Sequence, residues 1–190
     1  MGNYMQQKIT RLLSIHTKSK KVLTLFLLTN FVYAFMLLVT IPKVMKYSNG
    51  MKLFDMMPTG YDVSYTKTLL ETLGTQGRDV YLYSQIPVDM FYPFLFGITY
   101  CLLIASFLDK LKQIDKPILY LSLFPVFAGL FDYLENIGIM TMLHSYPNFS
   151  SLTSNVTNVF TITKSGLSTI SFIILITLFV IFIVRKYKTQ

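Results

Sequence analysis

The sequence predicts an all-α membrane protein. Its architecture is a four-helix transmembrane bundle with a partly helical extracytoplasmic cap between helices 1 and 2. Three observations carry this. Of the 190 residues 53% are hydrophobic and 14% charged, at a mean hydropathy of +0.51. A soluble chain of this size needs no such apolar surface, whereas a lipid-facing one does. Second, four apolar runs, each about 20 residues or longer, match the length that crosses a bilayer core. Third, the basic residues behind the net charge of +8 gather mainly at the ends of those runs. That is the pattern of membrane topology and of anionic lipid headgroups. No aromatic–basic interleaving of the kind used on nucleic acid occurs, so no nucleic-acid partner is expected.

The N-terminal segment comes first. A helix there puts Met5, Ile9, Leu12, Leu13 and His16 on one face and Lys8 and Arg11 on another. This reads as an interfacial helix on the membrane surface, with a flexible basic tail as the alternative. The opening "MGNYMQ" has a glycine suited to myristoylation but Gln6 where Ser or Thr is wanted. The first span covers about 22–43, within "VLTLFLLTNFVYAFMLLVTIP". A basic stretch precedes it as in a signal peptide, but no small-residue cleavage site closes it, so an uncleaved helix is expected.

Residues 44–89 form the outer cap. The stretch "YSNGMKLFDMMPTGYD" carries Gly, Pro and Asn punctuation and reads as loop. In "DVSYTKTLLETLG", Asp62 or Ser64 can cap a short helix. Leu69, Leu70 and Leu73 make its apolar face and Gly74 its stop. The aromatic run "VYLYSQIPVDMFYP" leads into span 2, either folded over the bundle or serving as an interfacial belt. Tyr81, Tyr83 and Tyr92 are expected as interfacial aromatics. Span 2 covers about 90–108, with Pro93 in its first turn. Span 3 covers about 117–143 and span 4 about 164–184. The segment between them, "SYPNFSSLTSNVTNVFTIT", is short and polar. It carries sequons at Asn148 and Asn155 that matter only in a secretory pathway.

Orientation follows from basic density. Lys8, Arg11, Lys18, Lys20 and Lys21, then Lys110, Lys112 and Lys116, then Arg185, Lys186 and Lys188 share one side. This predicts a cell-membrane protein with both termini cytoplasmic. Lys43 and Lys46 run against that assignment.

The candidate site starts from "LFDYLENIGI", where two acids and an amide interrupt a hydrophobic run. Asp132, Glu135 and Asn136 share one helix face at spacings of three and four. Counting from Pro117 at 1.5 Å per residue puts Asp132 roughly 22 Å along, in the outer leaflet. Asp89 and Tyr92 open span 2 at that level, Lys164 opens span 4, and Arg78 lies just before span 2. Thr161, Lys164, Ser168 and Ser171 form one polar stripe. Ionisable groups in hydrocarbon must face inward and pair. Lys164 is the expected partner of one acid, with Arg78 or a cation serving the other. Two carboxylates beside one base should leave one proton shared near neutral pH. The ligand-binding set is therefore Asp132, Glu135, Asn136, Lys164, Asp89, Arg78, Tyr92 and Ser168. The sequence contains no HExxH, P-loop or GxSxG element, and His16 and His144 fall on opposite sides of the membrane. No cofactor or metal is expected, and catalytic residues stay undefined. The single Cys101 cannot form an intrachain disulfide.

The pieces "PTGYD", "LGTQGRDVYLY", "DMFYP", "DYLEN" and "TITK", from about Pro58 to Lys164, are similar to a group of small, four-span, mostly bacterial membrane proteins with no assigned activity. The resemblance implies a common fold. It also implies that Arg78, Asp89, Asp132, Glu135, Asn136 and Lys164 form one constellation, and it supplies no reaction. Sterol-isomerase-like four-span proteins are similar in architecture only.

Three functions stay open. One is a pocket in the outer leaflet that binds a cation, a lipid headgroup or a small amphiphile. Another is an enzyme using a carboxyl as general acid or base on a lipid-like substrate. The third is a partner subunit or scaffold, as a homo-oligomer or with another membrane protein, whose charges are structural.

Overall fold

A computed structural model describes residues 2–17 and 19–188. Among the described residues eight α-helices run in order as α1 (Gly2–Ser14), α2 (Ser19–Phe35), α3 (Ile41–Met45), α4 (Val63–Val80), α5 (Ile86–Asp89), α6 (Tyr92–Lys110), α7 (Phe124–Ser145) and α8 (Ser151–Lys188). No strand occurs among the described residues. Four helical stretches are long and apolar enough to cross a membrane: Lys20–Met45, Val63–Lys110, Pro117–Ser145 and Ser151–Lys188. The chain is an all-α, multi-pass membrane protein.

Two of these stretches exceed any bilayer. Val63–Lys110 has 48 residues and Ser151–Lys188 has 38, or about 70 and 57 Å at 1.5 Å per residue, against a core of about 30 Å. The surplus builds the cap. The polar segment before span 4 is not a mere connection, because from Ser151 onward it forms the first turns of α8. There Thr66 and Ser154 share a buried hydrogen bond of 2.7 Å, and Asn158 Oδ1 accepts from the Tyr61 backbone N–H at 2.8 Å. Gly60, at φ +91°, precedes that contact, and a Cβ on it would stand 2.4 Å from Asn158 Oδ1. Only glycine fits both the backbone and the space.

The cap helix forms as its sequence asks. The Asp62 carboxylate accepts from the Tyr65 N–H at 2.6 Å, and Leu69, Leu70 and Leu73 are buried. Gly74 breaks the helix at φ 59°, ψ −176°. The chain then turns back into helix and reaches Lys110 almost without interruption. Two prolines explain its course. Pro42 lies in α3 and Pro87 in α5, and each follows a five-residue π-helical turn, Met36–Thr40 and Tyr81–Gln85. Proline removes one N–H and crowds the carbonyl four residues back; widening the preceding turn relieves both effects. The two π turns are joined by a hydrogen bond from Thr40 to Gln85.

The core has three parts. Beneath the cap, Val44, Leu53, Phe54, Leu69, Leu70, Tyr81, Ile86, Ile139 and Met142 pack together. Phe96, Tyr100 and Ala128 hold the middle, and Val22, Leu102, Ile104, Leu108, Leu119 and Leu178 the far end. α6 and α7 approach closely at Gly97 and Gly129, and α7 meets α8 at Gly138 against Thr157. Small residues allow this backbone proximity in a membrane bundle.

α1 docks on the bundle through Leu13, with Gln6 donating to the Asp115 carbonyl at 2.6 Å and Thr10 to that of Ile114 at 3.3 Å. Leu12, expected on its apolar face, is exposed. The Met5 side chain and Lys18 lie outside the described residues.

Candidate functional site

Span 3 opens with a 3-10 stretch, Pro117–Leu123, before α7 begins. At about 2.0 Å per residue this stretch carries Asp132 to about 26 Å from Pro117 instead of about 22 Å. The acids thus lie toward the cap end of the bundle, next to the core under the cap.

Lys164 of α8 sits between two acids of α7. Its Nζ is 2.7 Å from Asp132 Oδ1 and also pairs with Glu135 Oε2. The other Glu135 oxygen accepts from the Thr161 hydroxyl at 2.7 Å. Glu135 is fully buried at 0% exposure. Spacing produces this arrangement: residues 132 and 135 stand one turn apart on α7, as do 161 and 164 on α8. An ion pair removed from water is stabilising only when its remaining hydrogen bonds are filled, and Thr161 contributes one here.

Asp89 approaches from α5. Asn136 Nδ2 donates to the Asp89 backbone carbonyl at 3.2 Å, tying α7 to the start of span 2. The Asp89 carboxylate is different. At 2% exposure, its Oδ2 has no hydrogen-bond partner among the described residues, and neither does Asn136 Oδ1.

A second acid network lies beside this one. Asp55, from the cap loop, accepts from the Tyr81 hydroxyl and, at 3.3 Å, from Gln85 Nε2. Gln85 in turn receives the Thr40 hydrogen bond. Thus Asp55 holds the π turn of span 2 against that of span 1. Sequence reasoning missed Thr40, Asp55 and Gln85 and expected Tyr81 as an interfacial aromatic, whereas Tyr81 is fully buried. Tyr83 is 71% exposed. The one available signal was the pair of prolines two residues after Thr40 and Gln85.

Of the eight expected site residues, Asp132, Glu135, Asn136, Lys164 and Asp89 come together. Tyr92 stacks on Tyr33 at 5.4 Å and packs on Phe96 at 5.8 Å, forming the layer's apolar floor. Ser168 lies one turn below Lys164, half-buried. Arg78 stands apart. It donates to the Leu70 carbonyl at 2.8 Å and lies 4.2 Å from the Tyr146 ring centre. The break at Gly74 frees carbonyls of the preceding helical turn, and Arg78 supplies a donor to one of them.

A cleft of about 450 Å³ in the cap is lined by Met51, Tyr61, Asp62, Ser64, Tyr65 and Thr68. Tyr61 forms its floor. Burial above all raises its phenol pKa, and Glu135 and Asp55 add to that. It therefore keeps its proton. Among the described residues, no group of three or more His, Cys, Asp or Glu side chains is arranged to hold a metal ion.

No family model matches the chain, and no curated protein or solved structure matches it either.

Proposed function

We propose that this multi-pass membrane protein binds a small monovalent cation, a proton or an alkali ion, in the polar layer at Asp89. The observation that carries the reading is the buried Asp89 carboxylate with an unpartnered oxygen. It neighbours two acids already committed to one lysine. With Asp55, the region brings four carboxylates to one ammonium. Excess negative charge at low dielectric draws a counter-cation or a proton. Asp89 Oδ2 and Asn136 Oδ1 are both acceptors, and a cation serves acceptors, whereas an anionic headgroup does not.

An enzyme needs an acid with a free oxygen facing substrate. Asp132 and Glu135 point instead at Lys164 and Thr161, and Asp89, which has such an oxygen, is only 2% exposed; both lower support for general acid/base chemistry. A second reading, a purely structural tie, is favoured by the closed geometry around Lys164. Both readings keep the cytoplasmic placement of the termini and the cell membrane as proposals resting on the basic residues.

The two readings separate in one experiment. The full chain in detergent is unfolded thermally across sodium, potassium and proton concentrations, with choline keeping ionic strength constant. The binding reading expects the midpoint to rise with one of these cations, since ligand binding at a hundredfold excess over Kd adds about 2.7 kcal/mol. Asp89→Asn, which keeps the shape and removes the charge, should abolish that response. An identical response in wild type and Asp89→Asn leaves the structural tie as the answer.

A further inference from the structure

Asp89 sits on a broken part of span 2. The π turn Tyr81–Gln85 precedes its four-residue helix, Ile86–Asp89, and a turn at Met90 and Phe91 follows it. There the Phe91 N–H bonds the Val88 carbonyl, three residues back, at 3.1 Å. Pro93 lacks the N–H that would reach the Asp89 carbonyl. Asn136 of α7 donates to that carbonyl in its place at 3.2 Å. Membrane proteins build ion sites at such discontinuities of spanning helices.

A π turn holds one residue more than an α turn. If it closed to α, the chain beyond it would rotate by about 100° and shift by about 1.5 Å. Asp89 would then leave its register with Asn136. Gln85, at 0% exposure, ends the π turn and stands one helical turn before Asp89. Both ends of its amide are used. Thr40, from the π turn of span 1, donates to its Oε1, and its Nε2 donates to Asp55 Oδ2 at 3.3 Å. Tyr81, which starts the same turn, donates to the other Asp55 oxygen. Asp55 therefore clamps the first and last residues of the turn, and Thr40 ties the clamp to span 1. Lys43 adds an exposed link to Ser84 at 3.3 Å. Asp132, Asp55 and Glu135 all repel a charge on Asp89, and Lys164 attracts it.

We propose that Thr40, Asp55, Tyr81 and Gln85 are positioning residues for a cation at Asp89, and that the cation in turn strengthens their clamp. The inference rests on the cation reading above and adds the device that sets its affinity. An empty site leaves Asp89 repelling Asp55, which works against the clamp. A bound cation screens that repulsion, so clamp and cation each favour the other. Such coupling is reciprocal: whatever loosens the clamp weakens the cation by the same factor.

Thermal unfolding of the full chain in detergent, across sodium, potassium and proton concentrations with choline balancing ionic strength, tests this in wild type, Thr40→Val and Tyr81→Phe. Each substitution removes one hydroxyl and no charge. The concentration at which the midpoint starts to rise reports the apparent Kd. In both variants that onset should move up by about fivefold or more, as coupled sites do. A clamp with a structural role alone lowers the midpoint at every concentration and leaves the onset in place. That outcome overturns the proposal while the cation reading stands. A wild type indifferent to all three cations overturns both. Hydrogen exchange on wild type needs no variant to fold. The cation that raises the midpoint should slow exchange in Met36–Thr40, Phe54–Met56 and Tyr81–Gln85 more than in residues 175–182 at the far end of α8. Equal slowing in both places is global stabilisation, and it overturns the proposal as well.

Discussion

Lys164 and Lys110 stand at opposite ends of the bundle, each where an apolar helix meets a polar boundary. Lys164 is enclosed, with Asp132 and Glu135 on its ammonium and Thr161 behind. Lys110 is exposed, with two phenylalanine rings beneath it and more cations around it. The same residue type is thus a tie in one place and a surface in the other. Depth and partner number set the difference. A buried ammonium between two carboxylates cannot leave without stranding them. An ammonium at the end of an apolar helix, with its head exposed, keeps its water.

The largest test of that contrast is Lys164→Met. Removing one partner of a buried pair leaves uncompensated charge and costs about 3–5 kcal/mol, a large share of a typical domain's stability. Chemical unfolding in detergent should show this loss, while Lys110→Met stays within about 0.5 kcal/mol of wild type. Adding Asp132→Asn and Glu135→Gln to Lys164→Met should recover most of the loss, because the stranded charges go too. An unchanged midpoint for Lys164→Met alone means the layer is wet, and the contrast fails.

The contrast also depends on close helix packing around the layer. A Cβ on Gly129 would lie 2.6 Å from the Pro93 carbonyl oxygen, a backbone atom that cannot swing away. Gly129→Ala must push α6 from α7, at about 1–3 kcal/mol. Gly166, on α8, has nothing within 4 Å of its Cβ position. There Gly166→Ala should stabilise, by about 0.5–1 kcal/mol, through lost chain entropy alone. Equal effects at the two glycines would show that α6 and α7 do not meet tightly below the layer.

Much of this was legible in the sequence, for clear physical reasons. Apolar runs bounded by lysines announce spans. The spacing of Asp132, Glu135 and Asn136 announces one face, and the cost of burying charge points to Lys164 as partner. The Asp62 cap and the break at Gly74 follow from local chemistry as well. What was not legible is long-range or non-periodic. Asp55 sits in a loop, where no repeat reports its direction, and only the cap's fold brings it to Tyr81 and Gln85. The polar start of α8 was obscured because Ser, Thr and Asn weaken a helical signal; contacts with Tyr61 and Thr66 stabilise it instead. Arg78 was misplaced because proximity in sequence to span 2 says nothing of where a long side chain reaches across a glycine break.

Arg78 gives the most discriminating prediction. Its guanidinium fills the Leu70 carbonyl and lies on the Tyr146 ring, both at the rim of the cap. Arg78→Gln should therefore cost about 1–2 kcal/mol, from one charged hydrogen bond and one partly exposed cation–π contact. That loss should appear in the unfolding midpoint at every cation concentration alike. The slope of midpoint against cation should stay that of wild type, in contrast to Asp89→Asn. If Arg78→Gln flattens that slope, the guanidinium is coupled to the acids after all. The constellation the sequence suggested, with Arg78 inside it, would then replace the smaller one drawn by the distances.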